Sequence, residues 1–132
     1  MNERIIIRGF VEKGKQLGRT IGFPTANIRT DMPMEDVPRG VYAAWFIVGG
    51  DPLPCMVNIG HHPTVPDGKP TIEAHIFDYS GDLYGAAVAL HTVAYLRGEV
   101  RFPSLDALQQ QLSRDKARSL QILHNENPPG IE

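Results

Sequence analysis

One stretch alone, residues 104–123, repeats its apolar side chains at the period of a helix. Leu105, Leu108, Leu112, Ser119 or Leu120, and Leu123 share a stripe, while Gln109, Gln110, Arg114 and Lys116 decorate other faces and Ser104 stands at the capping position. Everything before it consists of short β-type runs broken by glycine and proline. Many brief strands, glycine turns and one late helix indicate an all-β barrel or sandwich with a helical appendage. A domain this small needs the stripe to cover its own core, which disfavours a partner-binding helix. Asn127-Pro128-Pro129-Gly130 closes the helix, so residues 125–132 read as a loose tail.

The β-type runs can be phased. Ile5, Ile7 and Val11 alternate with Arg4, Ile6 and Arg8, which predicts a strand with a bend or a close backbone approach at Gly9. Residues 29–38, with Asp31, Pro33, Glu35, Asp36 and Pro38, read as a loop. Residues 41–48 and 55–59, separated by Gly49-Gly50-Asp51-Pro52, read as a hairpin in which Trp45 anchors the core. In residues 71–77, strand parity puts Glu73, His75 and Phe77 on one face and Ile72, Ala74 and Ile76 on the other. A turn at 78–82 follows, in which Asp78 and Asp82 are expected to bond their own backbone, and Tyr84 is expected to pack. A longer β-like run covers 86–96.

With 132 residues, 42% of them hydrophobic, the chain has material for one core and too little length for two ordinary domains, so residues 1–132 are read as one domain. A net charge of −2 gives no basic field for nucleic acid. Cys55 is the one cysteine, which rules out an intrachain disulfide and fits a buried hydrophobe in a reducing compartment. The first residues carry charges at both ends of a short apolar run and resemble neither a signal peptide nor a membrane span. The expected location is the cytoplasm. His61 and His62 stand side by side, but adjacent strand residues point apart and no zinc-type spacing surrounds them.

The chemistry gathers in Gly14-Lys15-Gln16-Leu17-Gly18-Arg19-Thr20-Ile21-Gly22-Phe23-Pro24-Thr25-Ala26-Asn27. Gly14, Gly18 and Gly22 let backbone N–H groups approach phosphate oxygens, with Lys15 and Arg19 adding positive charge. Pro24 fixes the exit from the loop, and an extended Thr25-Ala26-Asn27 points a hydroxyl and an amide the same way. Such a pair suits a hard ion such as Mg²⁺ that shares its shell with phosphates and water. A surface hairpin, with Thr25 and Asn27 bonding nearby backbone, fits the spacing equally well. Neither a P-loop nor a dinucleotide fingerprint is present. Glu73, a carboxylate in an otherwise apolar strand, needs either water, a partner or a task.

Gly18-Arg19, Gly22-Phe23-Pro24-Thr25-Ala26-Asn27, Gly40-Val41-Tyr42-Ala43, Asn58-Ile59-Gly60, Pro63-Thr64, Ile72-Glu73-Ala74-His75-Ile76, Leu83-Tyr84-Gly85, Leu96-Arg97 and Phe102 follow one another as in the riboflavin kinase family, which the chain resembles over nearly its whole length. His62 departs from the family, whose members usually carry arginine before the Pro-Thr pair.

The resemblance implies a six-stranded antiparallel Greek-key barrel with one C-terminal α-helix packed beside its opening. It implies transfer of the ATP γ-phosphoryl group to the ribityl 5'-hydroxyl of riboflavin, giving FMN and ADP. Glu73 falls on the family's catalytic carboxylate. Gly14, Lys15, Gly18, Arg19, Gly22, Pro24, Thr25 and Asn27 would hold nucleotide phosphates, Thr25 and Asn27 also holding Mg²⁺. Arg97, Phe102 and Leu105 would meet the flavin. Bacterial members are commonly fused to an adenylyltransferase, which these residues do not resemble. Two other readings are a non-catalytic flavin- or nucleotide-binding regulatory module on the same barrel, and a barrel that binds nucleic acid; the acidic balance disfavours the latter.

Overall fold

The computed structural model describes residues 4–12, 22–60 and 70–129. Six strands precede one helix: β1 (Ile6–Glu12), β2 (Ala26–Arg29), β3 (Gly40–Val48), β4 (Asp51–Gly60), β5 (Thr71–Ile76), β6 (Ala87–Arg97) and α1 (Leu105–His124). All neighbouring strands are antiparallel, and the order β1-β2-β5-β4-β3-β6 closes on itself. β3, β4 and β5 form a meander, and β2 lies beside β5 rather than beside β3, its successor in sequence. That is a Greek key, and the closure leaves no sheet edge to protect.

Local chemistry accounts for the corners. Gly49 and Gly50 both have positive φ, 59° and 84°, so the β3–β4 hairpin turns in two residues and pairs Val48 with Asp51. β4 therefore starts at Asp51, earlier than the proline-containing spacing predicts. Pro52 and Pro54 are tolerated because β5 pairs with β4 only from Cys55 onward. At Gly9 the predicted close approach is real: a Cβ there would collide with the Arg29 carbonyl of β2. The loop at 30–39 is packed rather than loose. It puts Met34 into the barrel core, and Arg39 holds the Met34 and Val37 carbonyls.

Period-two alternation divides the apolar residues between two cores. Ile7, Val11, Ile28, Tyr42, Phe46, Val57, Ile72, Ile76 and Leu90 fill the barrel. Val41, Trp45, Met56, Phe77, Val93, Leu96 and Leu123 form an outer layer, over which α1 packs against β3, β4 and β6. Trp45 is thus a core residue, under the helix rather than inside the barrel, and Cys55 is fully buried inside it.

α1 begins as the sequence predicts, with Ser104 Oγ accepting from Ala107 N at 3.1 Å. Its buried stripe contains Asp115 and Ser119 as well as Leu123. Asp115 receives a two-pronged bond from Arg97 of β6, Nε at 3.0 Å and Nη2 at 2.7 Å to Oδ2, and a third from Gln111 at 2.9 Å. The expected loose tail is fastened at its start. The Glu126 amide bonds the Leu123 carbonyl, and its carboxylate pairs with Arg4 ahead of β1.

Candidate functional site

Directly opposed residues on paired strands point to the same face, and this aligns one row across the barrel wall. Asn27 of β2 stands opposite Glu73 of β5, Glu73 opposite Asn58 of β4, Asn58 opposite Val41 of β3, and Val41 opposite Arg97 of β6. Because Ile72, Ala74 and Ile76 of β5 face the barrel interior, the row lies outside. The parity expected for β5 therefore holds. Glu73 is half-buried, while His75 and Phe77 are buried.

Two cavities flank the segment entering β2. One, of about 390 Å³, lies between the outer row, the 97–104 connection and the first half of α1. Phe23, Val41, Met56, Phe102, Leu108 and Leu112 make its walls mostly apolar, with Glu73, Asn58, Arg97 and Glu99 among its polar groups. The other runs between β1, β2 and the turn after β5, where Pro24, Asn27, Tyr79, Asp82 and Tyr84 line it. Thr25 borders both. Asn27 borders the second and Glu73 the first, facing each other in register.

The entering segment is held by His75. A carbonyl only accepts, so the 2.7 Å contact between His75 Nδ1 and the Pro24 oxygen makes Nδ1 the protonated nitrogen. Phe23 and Phe77 flank the imidazole with ring centroids 5.1 and 5.6 Å away. Burial pushes the His75 pKa below its ordinary 6.5, against a smaller upward effect of the Pro24 bond. The unfolded chain takes up this proton near 6.5 and the folded chain only at lower pH. The stability contribution is thus fully present above the unfolded value and is lost as the pH falls towards the folded one. His75→Asn keeps a donor near the place of Nδ1 without the titrating ring. Its melting temperature should fall less than the parent's between about pH 7 and pH 5; His91, also depressed by burial, supplies a remaining slope. Equal slopes would remove His75 from this role.

Of the residues singled out in the sequence, Thr25, Asn27, Glu73, Arg97 and Phe102 are brought to these cavities, together with Pro24. Gly22 has the positive φ expected of it, 85°. Gly14, Lys15, Gly18 and Arg19 lie outside the described residues, as do His61 and His62. Arg97 lines the larger of the two cavities and is held there by Asp115 and the Gly98 carbonyl, with its guanidinium carbon 5.7 Å from the Phe102 ring centre. Leu105 does not line the cavity. It is 52% exposed, and Leu108 and Leu112 occupy the wall in its stead.

The turn after β5 was expected to be mere connection. Asp82 does cap its own turn, accepting from Tyr84 N at 2.9 Å. Tyr84, however, is 56% exposed, and with Tyr79 it forms a cavity wall instead of packing. Part of the signal was in the sequence: Tyr79 and Tyr84 stand among Asp78, Ser80, Gly81, Asp82 and Gly85, while the neighbouring Leu83 and Ala86 pack against the barrel core.

A family model described as riboflavin kinase matches residues 1–123. The bifunctional riboflavin kinase/FMN adenylyltransferase of Escherichia coli (strain K12) is 43% identical over 111 residues, covering 83% of this chain and 35% of that protein. The chain thus spans little more than a third of that relative's length. Among solved structures, riboflavin kinase from Trypanosoma brucei superposes with a TM-score of 0.72 at 26% identity, covering 94% of this chain and 82% of its own. A Streptococcus pneumoniae structure called a macrolide-efflux protein gives 0.78 at 31% identity, over 92% of this chain and 39% of its own. The barrel, its helix and a family match that takes in every strand and nearly all of α1 lead to one assignment: the chain belongs to the riboflavin kinase family.

Proposed function

We propose that the chain transfers the γ-phosphoryl group of ATP to the ribityl 5'-hydroxyl of riboflavin, giving FMN and ADP. The observation that carries this reading is the pair of unlike cavities meeting at Thr25. A mostly apolar one has the size of a drug-sized ligand site and suits an isoalloxazine ring with its polyol chain reaching Glu73 and Thr25. The other, walled by Tyr79, Tyr84 and Asn27, suits the nucleotide. Donor and acceptor would then meet across a single residue.

Within that arrangement Glu73 orients the attacking hydroxyl and receives its proton. A carboxylate is a weak base for an alcohol, but in a loose phosphoryl-transfer transition state the nucleophile need not be deprotonated first, so position outweighs basicity. Among the described residues no three His, Cys, Asp or Glu side chains stand together as a metal site. The donor set fits Mg²⁺, which takes few protein groups alongside phosphate oxygens and water. Thr25 and Asn27 would hold it, and when bound it supplies charge neutralisation on the transferring phosphate. Gly14, Lys15, Gly18, Arg19 and Gly22 complete the phosphate cradle in this reading, and Pro24 sets its exit. The E. coli relative's name also carries FMN adenylyltransferase activity; a partner domain of that kind, in the cytoplasm, would consume the FMN made here.

The test is incubation of the protein with riboflavin, ATP and Mg²⁺, followed by chromatographic separation of the fluorescent flavins. FMN should accumulate. A folded protein that binds riboflavin yet makes no FMN would overturn the kinase reading in favour of a binding module. In the same assay Phe102→Ala should raise the KM for riboflavin about tenfold, as expected for loss of a large apolar contact, and leave that for ATP unchanged. The reverse pattern would reject the flavin's placement.

A further inference from the structure

Among the described residues, the outer row contains one buried polar atom without a hydrogen-bond partner. Asn58 Oδ1 is buried and has no hydrogen-bond partner among the described residues, although Asn58 lines the larger cavity. Its surroundings explain why. Val41 and Met56, beside it on the same face, have no polar hydrogen, and Glu73 opposite offers only acceptors when ionised. Two donors that line the same cavity are engaged elsewhere: Arg97 by Asp115 and the Gly98 carbonyl, His75 Nδ1 by the Pro24 carbonyl. Leaving a buried acceptor unmade is costly, and native folds rarely keep one without a reason.

We propose that Asn58 is a specificity-determining residue whose Oδ1 accepts a hydrogen bond from a secondary hydroxyl of the acceptor's polyol chain. This rests on the flavin-phosphorylating reading above and deepens it. Facing side chains on adjacent strands start about 5 Å apart at Cβ. If the terminal hydroxyl lies at Glu73, a hydroxyl farther back along the extended ribityl chain comes opposite Asn58. The amide thus reads the chain at a second point, as a polyol rather than as an aliphatic tail. A site built to satisfy a substrate hydroxyl rejects the analogue lacking it, because the protein's own polar atom is then left unpaired.

The experiment compares riboflavin with lumiflavin, which has the same ring and a methyl group in place of the ribityl chain, by flavin fluorescence titration against the parent and Asn58→Leu. Leucine nearly preserves the volume and removes the orphaned acceptor, so the melting temperature should hold or rise. Riboflavin should bind about tenfold more weakly, the size expected for one neutral hydrogen bond, while lumiflavin binding stays as it was. Equal weakening of both flavins, or no weakening of either, would overturn the proposal, since Asn58 would then only shape the cavity or do nothing there. If Asn58→Leu fails to fold, Asn58→Ser carries the same comparison, and the same ratio for parent and variant would again defeat the idea. A parent that binds neither flavin would defeat the flavin reading and this assignment together; a parent that binds both with the ratio unmoved in the variant defeats this one alone.

Discussion

Glu73→Gln is expected to lower FMN formation by about 10² to 10⁴-fold, the range typical of a lost general base, with ATP affinity essentially unchanged. Glutamine has the shape of the native side chain and keeps its place opposite Asn27 and Asn58 in the β5 register. It loses the charge and the capacity to take up a proton as the hydroxyl attacks. A structural role would instead appear as a lower melting temperature with turnover preserved. Wild-type turnover in the variant would remove Glu73 from the mechanism. If ATP binding collapsed along with turnover, the carboxylate would belong to the nucleotide site.

The second large effect concerns stability. Asp115→Ala should destabilise the fold by about 3 kcal/mol, the low end for breaking a buried ion pair, because the Arg97 side chain keeps 19% of its exposure against 5% for Asp115. In a domain of this size that corresponds to roughly 10 °C in melting temperature. The cost comes mainly from Arg97, stranded between the helix and the cavity wall. Replacing both partners, Arg97→Met with Asp115→Leu, should therefore recover much of the loss. An Asp115→Ala protein melting like the parent would mean that the pair contributes nothing to helix docking. The single variant should also loosen Phe102, over whose ring the Arg97 guanidinium lies at 5.7 Å.

Much of this was legible before any coordinates, and the parts that were not share a cause. β5 could be phased because period two is fixed by the backbone, so Ile72, Ala74 and Ile76 had to go together and Glu73 and His75 opposite them. Thr25 and Asn27 could be paired on the same ground. Closure into a barrel could not be read from pattern, since it depends on β1 meeting both β2 and β6, and on β5 choosing β2. Only Gly9 hinted at the tight β1–β2 approach. Asn58 sits in Val57-Asn58-Ile59-Gly60, which reads as an ordinary strand, and its isolation shows only when Val41 and Glu73 are set beside it. Asp115 fell on the helix stripe, where an acid counts against burial until its cation is known to come from β6. Leu105 shows the limit of helical phase: it shares the face of Leu112 and Leu123, but angle says nothing about how far along the axis there is a surface to meet.

The division of apolar residues between barrel interior and outer layer has a bearing on how such a protein can change. On β5 the residues that fill the barrel and the residues that line the site are interleaved one by one: Ile72, then Glu73, then Ala74, then His75. A one-residue slip of that strand would push the carboxylate into the barrel and turn isoleucine towards the row, destroying both at once. Substitution can therefore retune the outer positions without disturbing the inner ones, but insertion and deletion cannot. On β5, variation that keeps the site is expected as exchange of side chains, with changes of length expected in the connections on either side.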